Sequence, residues 1–150
     1  MPSLNLFLLL LIGLFASEVH ADSVHGLIDH YSDGDSFVIA DTPVRLKGID
    51  APELAQQCTN RLGWVYRCGE MAASHLKSLV KGRSVVCEGD ERDDYGRLVA
   101  RCQAGSTDLN AAMVRDGWAV AFVRYDESYL EAESDARSGH RGIWQGEFQQ

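Results

Sequence analysis

Two short stretches hold the residues whose types suit chemistry. Asp33-Gly34-Asp35 is an acidic turn, and RLKGIDAPE, from Arg45 to Glu53, follows it with a guanidinium and two further acids around a proline. Asp35 falls at the end of a turn and Asp50 at the end of the strand-like run before Ala51. Calcium accepts six to eight oxygens in flexible mixtures of carboxylate, carbonyl and water, so Asp35, Asp50 and the backbone carbonyl of Ala51 leave room for a phosphate oxygen around one Ca2+ ion. Glu53 is placed to accept a proton from an attacking water. Arg45, and Arg97 further along, offer planar, permanently charged forks. Such forks meet two phosphate oxygens at once and suit the charge that builds up when a phosphodiester is attacked.

Each residue also has a plainer use. Asp33-Gly34-Asp35 makes a tight turn without any metal, and Asp50 and Glu53 can be solvated loop acids. Pro52 stiffens the chain before Glu53 in either case. Tyr95 and Tyr125 are candidates for stacking on a base or bonding a phosphate, and equally for packing on neighbours. Arg101 reads as an exposed charge. The histidines, His20, His25, His30, His75 and His140, show no paired metal-ligand spacing.

These side chains need a frame. Apolar alternation near Val24 to His30, Ser36 to Ala40 and Val44 to Ile49, with turn formers between the runs, predicts an antiparallel meander. After a loop from Ala51 to Cys68, Ala72, Leu76, Leu79 and Val80 recur at helical spacing, with Gly82 as the stop. Arg83 to Glu88 and Arg97 to Cys102 form a hairpin turning near Asp94-Tyr95. Two helices follow, LNAAMVRDG capped by Thr107 or Asp108 and ESYLEAESDARSG capped by Asp126. The order βββαββαα does not suit a parallel βαβ sheet but suits a small five-stranded barrel with three α-helices outside it, an α+β fold. Trp64 and Trp118 are expected in the core and Trp144 against the barrel's outer wall.

The chain of 150 residues fits one domain. Residues 1–21 carry an apolar run from Leu6 to Ala16 and end in Val19-His20-Ala21, a pattern read as a secretory signal peptide, with an uncleaved anchor as the alternative. Residues 22–150 then form the working domain, exported to the periplasm or beyond the cell. Export suits disulfides. Counting outward from the hairpin turn sets Cys87 opposite Cys102, which leaves Cys58 with Cys68. A four-cysteine zinc site is the rival, but CxxC pairs are absent. The net charge of −8 argues against the broad basic footprint of a duplex binder, so any contact with nucleic acid is local.

In order and spacing, DGDSF at 33–37, RLKGIDAPE at 45–53, DDYGR at 93–97, DLNAAMVRDGWA at 108–119 and GIW at 142–144 resemble the staphylococcal nuclease family, in its secreted proteobacterial form. The resemblance implies an oligonucleotide/oligosaccharide-binding (OB) barrel and a monomeric, Ca2+-dependent phosphodiesterase. It assigns metal binding to Asp35, Asp50 and Ala51, and catalysis to Arg45, Glu53 and Arg97. It implies DNA and RNA as substrates, single strands preferred, with 3′-phosphate products, and contacts from Tyr95 and Tyr125. Ser36 stands where threonine is commoner in that family, Ala51 where its best-known member has threonine, and Asp94 where relatives can carry a basic residue. The competing expectation is a non-catalytic OB module that binds a single strand or an envelope protein.

Overall fold

The computed structural model describes residues 21–148; of the expected signal segment, residues 1–21, all but Ala21 lie outside them. β1 (Asp22–Gly26) and β2 (Ile28–Tyr31) are followed by β3 (Ser36–Ile39), β4 (Thr42–Leu46) and β5 (Ile49–Asp50). A small hairpin, β6 (Cys58–Asn60) and β7 (Val65–Tyr66), leads into α1 (Cys68–Val80). Next come β8 (Val85–Arg92), β9 (Leu98–Ala104), β10 (Thr107–Asp108), α2 (Leu109–Arg115), β11 (Val120–Ala121) and α3 (Leu130–Ser138). A 3-10 turn (Gly142–Gln145) and β12 (Gly146–Glu147) close the described chain.

The main sheet has seven strands in the order β1-β8-β9-β4-β3-β2, with β10 attached to β9. Its two outer strands, β1 and β2, are successive pieces of chain separated only by Leu27, so the sheet curls round on itself. The expected meander is present in β2-β3-β4, and the expected hairpin in β8-β9. A parallel β4–β9 pair joins the two.

The expected barrel of five strands in the order βββαββαα needs correcting. Its first strand is two pieces, because β1 pairs with β8 while β2 pairs with β3. Its third run stops at Leu46. Gly48, at φ 75°, turns the chain so that β5 leaves the main sheet and pairs with β11. A Cβ at Gly48 would lie 2.5 Å from that of Asp126, so the turn requires glycine.

Phe37, Ile39, Val44, Leu46, Leu98 and Ala100 alternate inward from the sheet and meet Leu76, Val80, Leu109 and Met113 from α1 and α2. A second cluster holds Cys58, Cys68, Val120 and Ile143, with Trp118 bridging to the first. Both disulfides are present, Cys58–Cys68 and Cys87–Cys102, and Cys87 stands directly opposite Cys102 in the hairpin register.

Asp108 caps α2, its side chain accepting from the Ala111 N–H at 2.9 Å. Asp126 does not cap α3; it accepts from the Ser128 N–H two residues on, and the helix begins only after Tyr129. A local aspartate turn wins over helix capping there. Trp64 is exposed at the tip region of the β6-β7 hairpin, against the expectation of a core position. Trp144 packs against Phe148 and beneath the Arg137 guanidinium.

Candidate active site

The Asp33-Gly34-Asp35 turn is self-supporting. The Asp33 carboxylate accepts from the Asp35 N–H at 2.9 Å, and the Asp35 carbonyl accepts from the Leu46 N–H at 2.8 Å, which clips the turn to β4. Gly34 packs so tightly that a Cβ would meet those of Ala72 and Ala51 at 2.8 and 2.9 Å. Asp35 is thereby driven inside, with 1% of its surface exposed.

Inside, its carboxylate is fully engaged. Oδ1 accepts from Ser36 Oγ at 2.8 Å and from Arg45 Nη1 at 3.0 Å, while Oδ2 accepts from the Ala51 N–H at 2.8 Å. Burial still pushes the Asp35 carboxyl up, to about 7, against the pull of Arg45, Ala51 and Ser36. Arg45 also donates from Nη2 to Asp50 Oδ1 at 2.8 Å. Burial opposes the Arg45 charge, but Asp35 and Asp50 outweigh it and hold the guanidinium above its usual value. One guanidinium is thus shared by the two candidate metal-binding acids.

Arg97 joins the same network through a hydroxyl, its Nη1 donating to Ser36 Oγ at 3.2 Å. Its other side is held by Asp93, whose Oδ2 accepts from Arg97 Nε at 2.7 Å and whose Oδ1 accepts from the Tyr95 and Arg97 N–H groups. Burial pushes Asp93 up, but these donors pull it below the usual carboxylate value. The Arg97 guanidinium lies 5.4 Å from the centroid of the Tyr95 ring.

Arg45, Tyr95, Arg97, Phe122 and Tyr125 line one open cleft of about 390 Å³. Tyr125 stands edge-on to Phe122 at 5.0 Å. Glu53 sits on the loop after β5. Its backbone is fixed by a turn in which its N–H donates to the Gln56 side chain and its carbonyl accepts from the Gln56 N–H. The Glu53 carboxylate is exposed and bonds no other side chain among the described residues.

The structure therefore gathers Asp35, Arg45, Asp50 and Arg97 in one hydrogen-bonded chain, with Ala51 in it through its N–H, and puts Tyr95 and Tyr125 on the adjoining cleft. Arg101 is exposed as expected but pairs with Asp126. Sequence reasoning missed the bridging role of Ser36, the hold of Asp93 on Arg97 and the buried Asn110. An acid four residues before an arginine across a tight turn was the available signal for Asp93. Among the described residues no three His, Cys, Asp or Glu side chains converge as a metal group.

The family model described as "Staphylococcal nuclease homologue" matches residues 43–146, which include Arg45, Asp50, Glu53 and Arg97. The chain belongs to the staphylococcal nuclease family. Relatives include a protein named "Succinoglycan biosynthesis protein ExoI" from Rhizobium meliloti (strain 1021), 37% identical over 118 residues, 77% of this chain and 62% of that protein. An "Uncharacterized endonuclease" from Escherichia coli O157:H7 is 30% identical over 142 residues, 90% of this chain and 86% of its own. A "Probable endonuclease LCL3" from Schizophyllum commune is 30% identical over 119 residues, 67% of this chain and 39% of its own. The chain thus spans less than two thirds of the Rhizobium relative and most of the E. coli one.

Proposed function

We propose that this staphylococcal nuclease family member is an endonuclease-type hydrolase that cleaves phosphodiester bonds of DNA and RNA. The family and the relatives named as endonucleases support the reaction class. The single observation that carries it to these residues is the shared network in which Arg45 and Arg97, at one cleft, are tied through Asp35 and Ser36.

The residues fit a hard divalent cation. Asp35, buried, and Asp50 bring two carboxylates to the single guanidinium of Arg45, so the spot is short of one positive charge. Asp50 is partly exposed beside it. Asp35, Asp50 and the Ala51 carbonyl would hold Ca2+, with water and substrate oxygens filling the remaining positions. Bound there, the ion would supply charge stabilisation at the phosphate.

The chain's own groups do the rest. Glu53, exposed to solvent, takes the proton from the attacking water. Arg45 and Arg97 receive the charge that grows on the non-bridging oxygens, and Asp93 holds Arg97 ready for it. Tyr95 and Tyr125 offer faces for a base on the cleft wall. Following the family resemblance, the products carry 3′-phosphates and single strands are preferred. The two disulfides support export to an oxidising compartment.

The test is degradation of single-stranded DNA by the protein in Ca2+ or EGTA, beside the double variant Arg45→Ala, Glu53→Ala, with end-group analysis. Metal-dependent cleavage lost in the variant is the expected result. Equal cleavage by both proteins would overturn the assignment, and strand binding without turnover would favour the non-catalytic module.

A further inference from the structure

Away from the cleft, the segment 54–87 differs from the rest of the molecule in charge. It holds Arg61, Arg67, Lys77, Lys81 and Arg83 against one acid, Glu70, and so carries +4 in a chain of −8, which leaves −12 on the remainder. Glu70 is itself paired with Arg67 at 3.0 Å.

The same segment exposes much of the molecule's large apolar surface. Leu62 is 80% exposed, Trp64 71% and Val65 64%, all on the β6-β7 hairpin, and Leu54 and Met71 flank it. Gly63, between Leu62 and Trp64, has open space where a Cβ would be, so the tip projects outward.

The tip is nevertheless rigid. Asn60 Oδ1 accepts from the Leu62 and Trp64 N–H groups, and the Asn60 N–H donates to the Trp64 carbonyl. β12 pairs with β6, and the Cys58–Cys68 disulfide ties the base of the hairpin to the first residue of α1.

From this coincidence of projecting aliphatic and indole side chains with the basic segment of an acidic protein, we propose that the β6-β7 hairpin docks on an anionic lipid surface, with Leu62, Trp64 and Val65 entering the headgroup boundary. Indole and aliphatic groups partition together at that boundary, and Arg61 and Arg67, on the turn of the hairpin and just after β7, add electrostatic attraction to anionic headgroups. A nucleic-acid strand would match the positive charge but not Leu62 and Val65, which have no face on which a base can stack. The proposal does not rest on the nuclease reading.

The test uses the full chain, so that the apolar run at 6–16 is common to every variant, and phosphatidylcholine vesicles with or without phosphatidylglycerol, carrying brominated acyl chains. Trp64 fluorescence is expected to be quenched in the anionic vesicles and not in the neutral ones, with that quenching absent in Trp64→Phe. Leu62→Ser, Trp64→Ser should weaken partitioning about 10-fold or more, with an unchanged melting temperature, from the loss of two buried apolar groups. Arg61→Glu, Arg67→Glu should abolish the preference for anionic lipid. The proposal fails if Trp64 is quenched in neither vesicle. It also fails if a single-stranded oligonucleotide quenches Trp64 where lipid does not, or if sedimentation shows a self-association without lipid that Trp64→Ser removes.

Discussion

Replacing Asn110 by leucine isolates the polar bolt that holds α2 against the sheet. Asn110 is fully buried; its Nδ2 donates to the Lys47 carbonyl at 2.9 Å and the Ala100 carbonyl at 3.2 Å, and its Oδ1 accepts from the Cys102 N–H at 3.0 Å. Leucine keeps the branched outline with bulkier methyl groups, so the polar cost is a lower bound on the whole. The Ala100 carbonyl keeps the Lys47 N–H at 2.8 Å as a second partner, which leaves the Lys47 carbonyl and the Cys102 N–H to lose theirs. Each buried orphan costs about 1–3 kcal/mol, so a loss of about 3–4 kcal/mol is expected. That corresponds to a melting temperature lower by about 10 °C for a domain of this size. Urea unfolding should show a lower midpoint at an unchanged slope. Asn110→Asp supplies the control: it keeps the acceptor for Cys102 but aims a carboxylate at two carbonyls, so it should be at least as damaging at neutral pH and recover partly in acid. A leucine variant within about 0.5 kcal/mol of the parent, or an aspartate variant equal to it, would refute the reasoning.

Two further outcomes follow from the same contacts. Asp93→Asn can keep the turn, since an amide oxygen still accepts from Tyr95 and Arg97, but it loses the acceptor for Arg97 Nε; kcat on an oligonucleotide should fall about 10- to 100-fold with little change in KM, less than losing a charge-stabilising donor outright, and an unchanged kcat would show that Arg97 needs no such hold. The Asp126 carboxyl is held down to about 2, chiefly by Ser128 and then, against burial, by Arg101. Because the folded value lies below the unfolded one, this stability is present above about pH 4 and is lost as pH falls towards 2, up to about 2 kcal/mol in all. Unfolding free energies of the parent and Asp126→Asn, measured from pH 2 to 6, should converge at the acid end and separate above it; a constant gap would count against the assignment.

Local signals in the sequence carried far when they reported on local physics. The Cys87–Cys102 bridge was legible by counting outward from Asp94-Tyr95, although the register beside the turn, Arg92 opposite Leu98, reaches it only because a bulge between Glu88 and Glu91 shifts the pairing by one; the Asp108 cap was legible because a cap needs only the next three residues. Asp126 shows the limit. Its side chain can close an aspartate turn or cap a helix, and what decides is Arg101 on β9 and Gly48 against its Cβ, neither of which is near in sequence. Trp64 is expected in the core, but it stands at the tip of a hairpin that the Cys58–Cys68 link ties to α1, with its side chain exposed. The acids and arginines of the site were legible as types. Their connection through Ser36 was not, since it depends on β3 lying against β4 and on Arg97 reaching across from the other hairpin.

The network also constrains how the site can work. Asp35 and Asp50 share the single charge of Arg45, while Arg97 is matched by Asp93, so the five groups together carry one negative charge before any phosphate approaches. The chain as a whole, at −8, offers no long-range attraction to offset this. A phosphodiester would bring another negative charge to a spot where burial already strains the ionised form of Asp35. Arg45 cannot turn fully to a phosphate without leaving two acids uncompensated, one of them buried, which is the costliest state available to this residue set. On the proposed reading, Arg45 acts as a phosphate clamp once something else neutralises Asp35 and Asp50, a need that a divalent cation of the kind those oxygens suit would meet, whereas a proton on Asp35 would relieve only half of it.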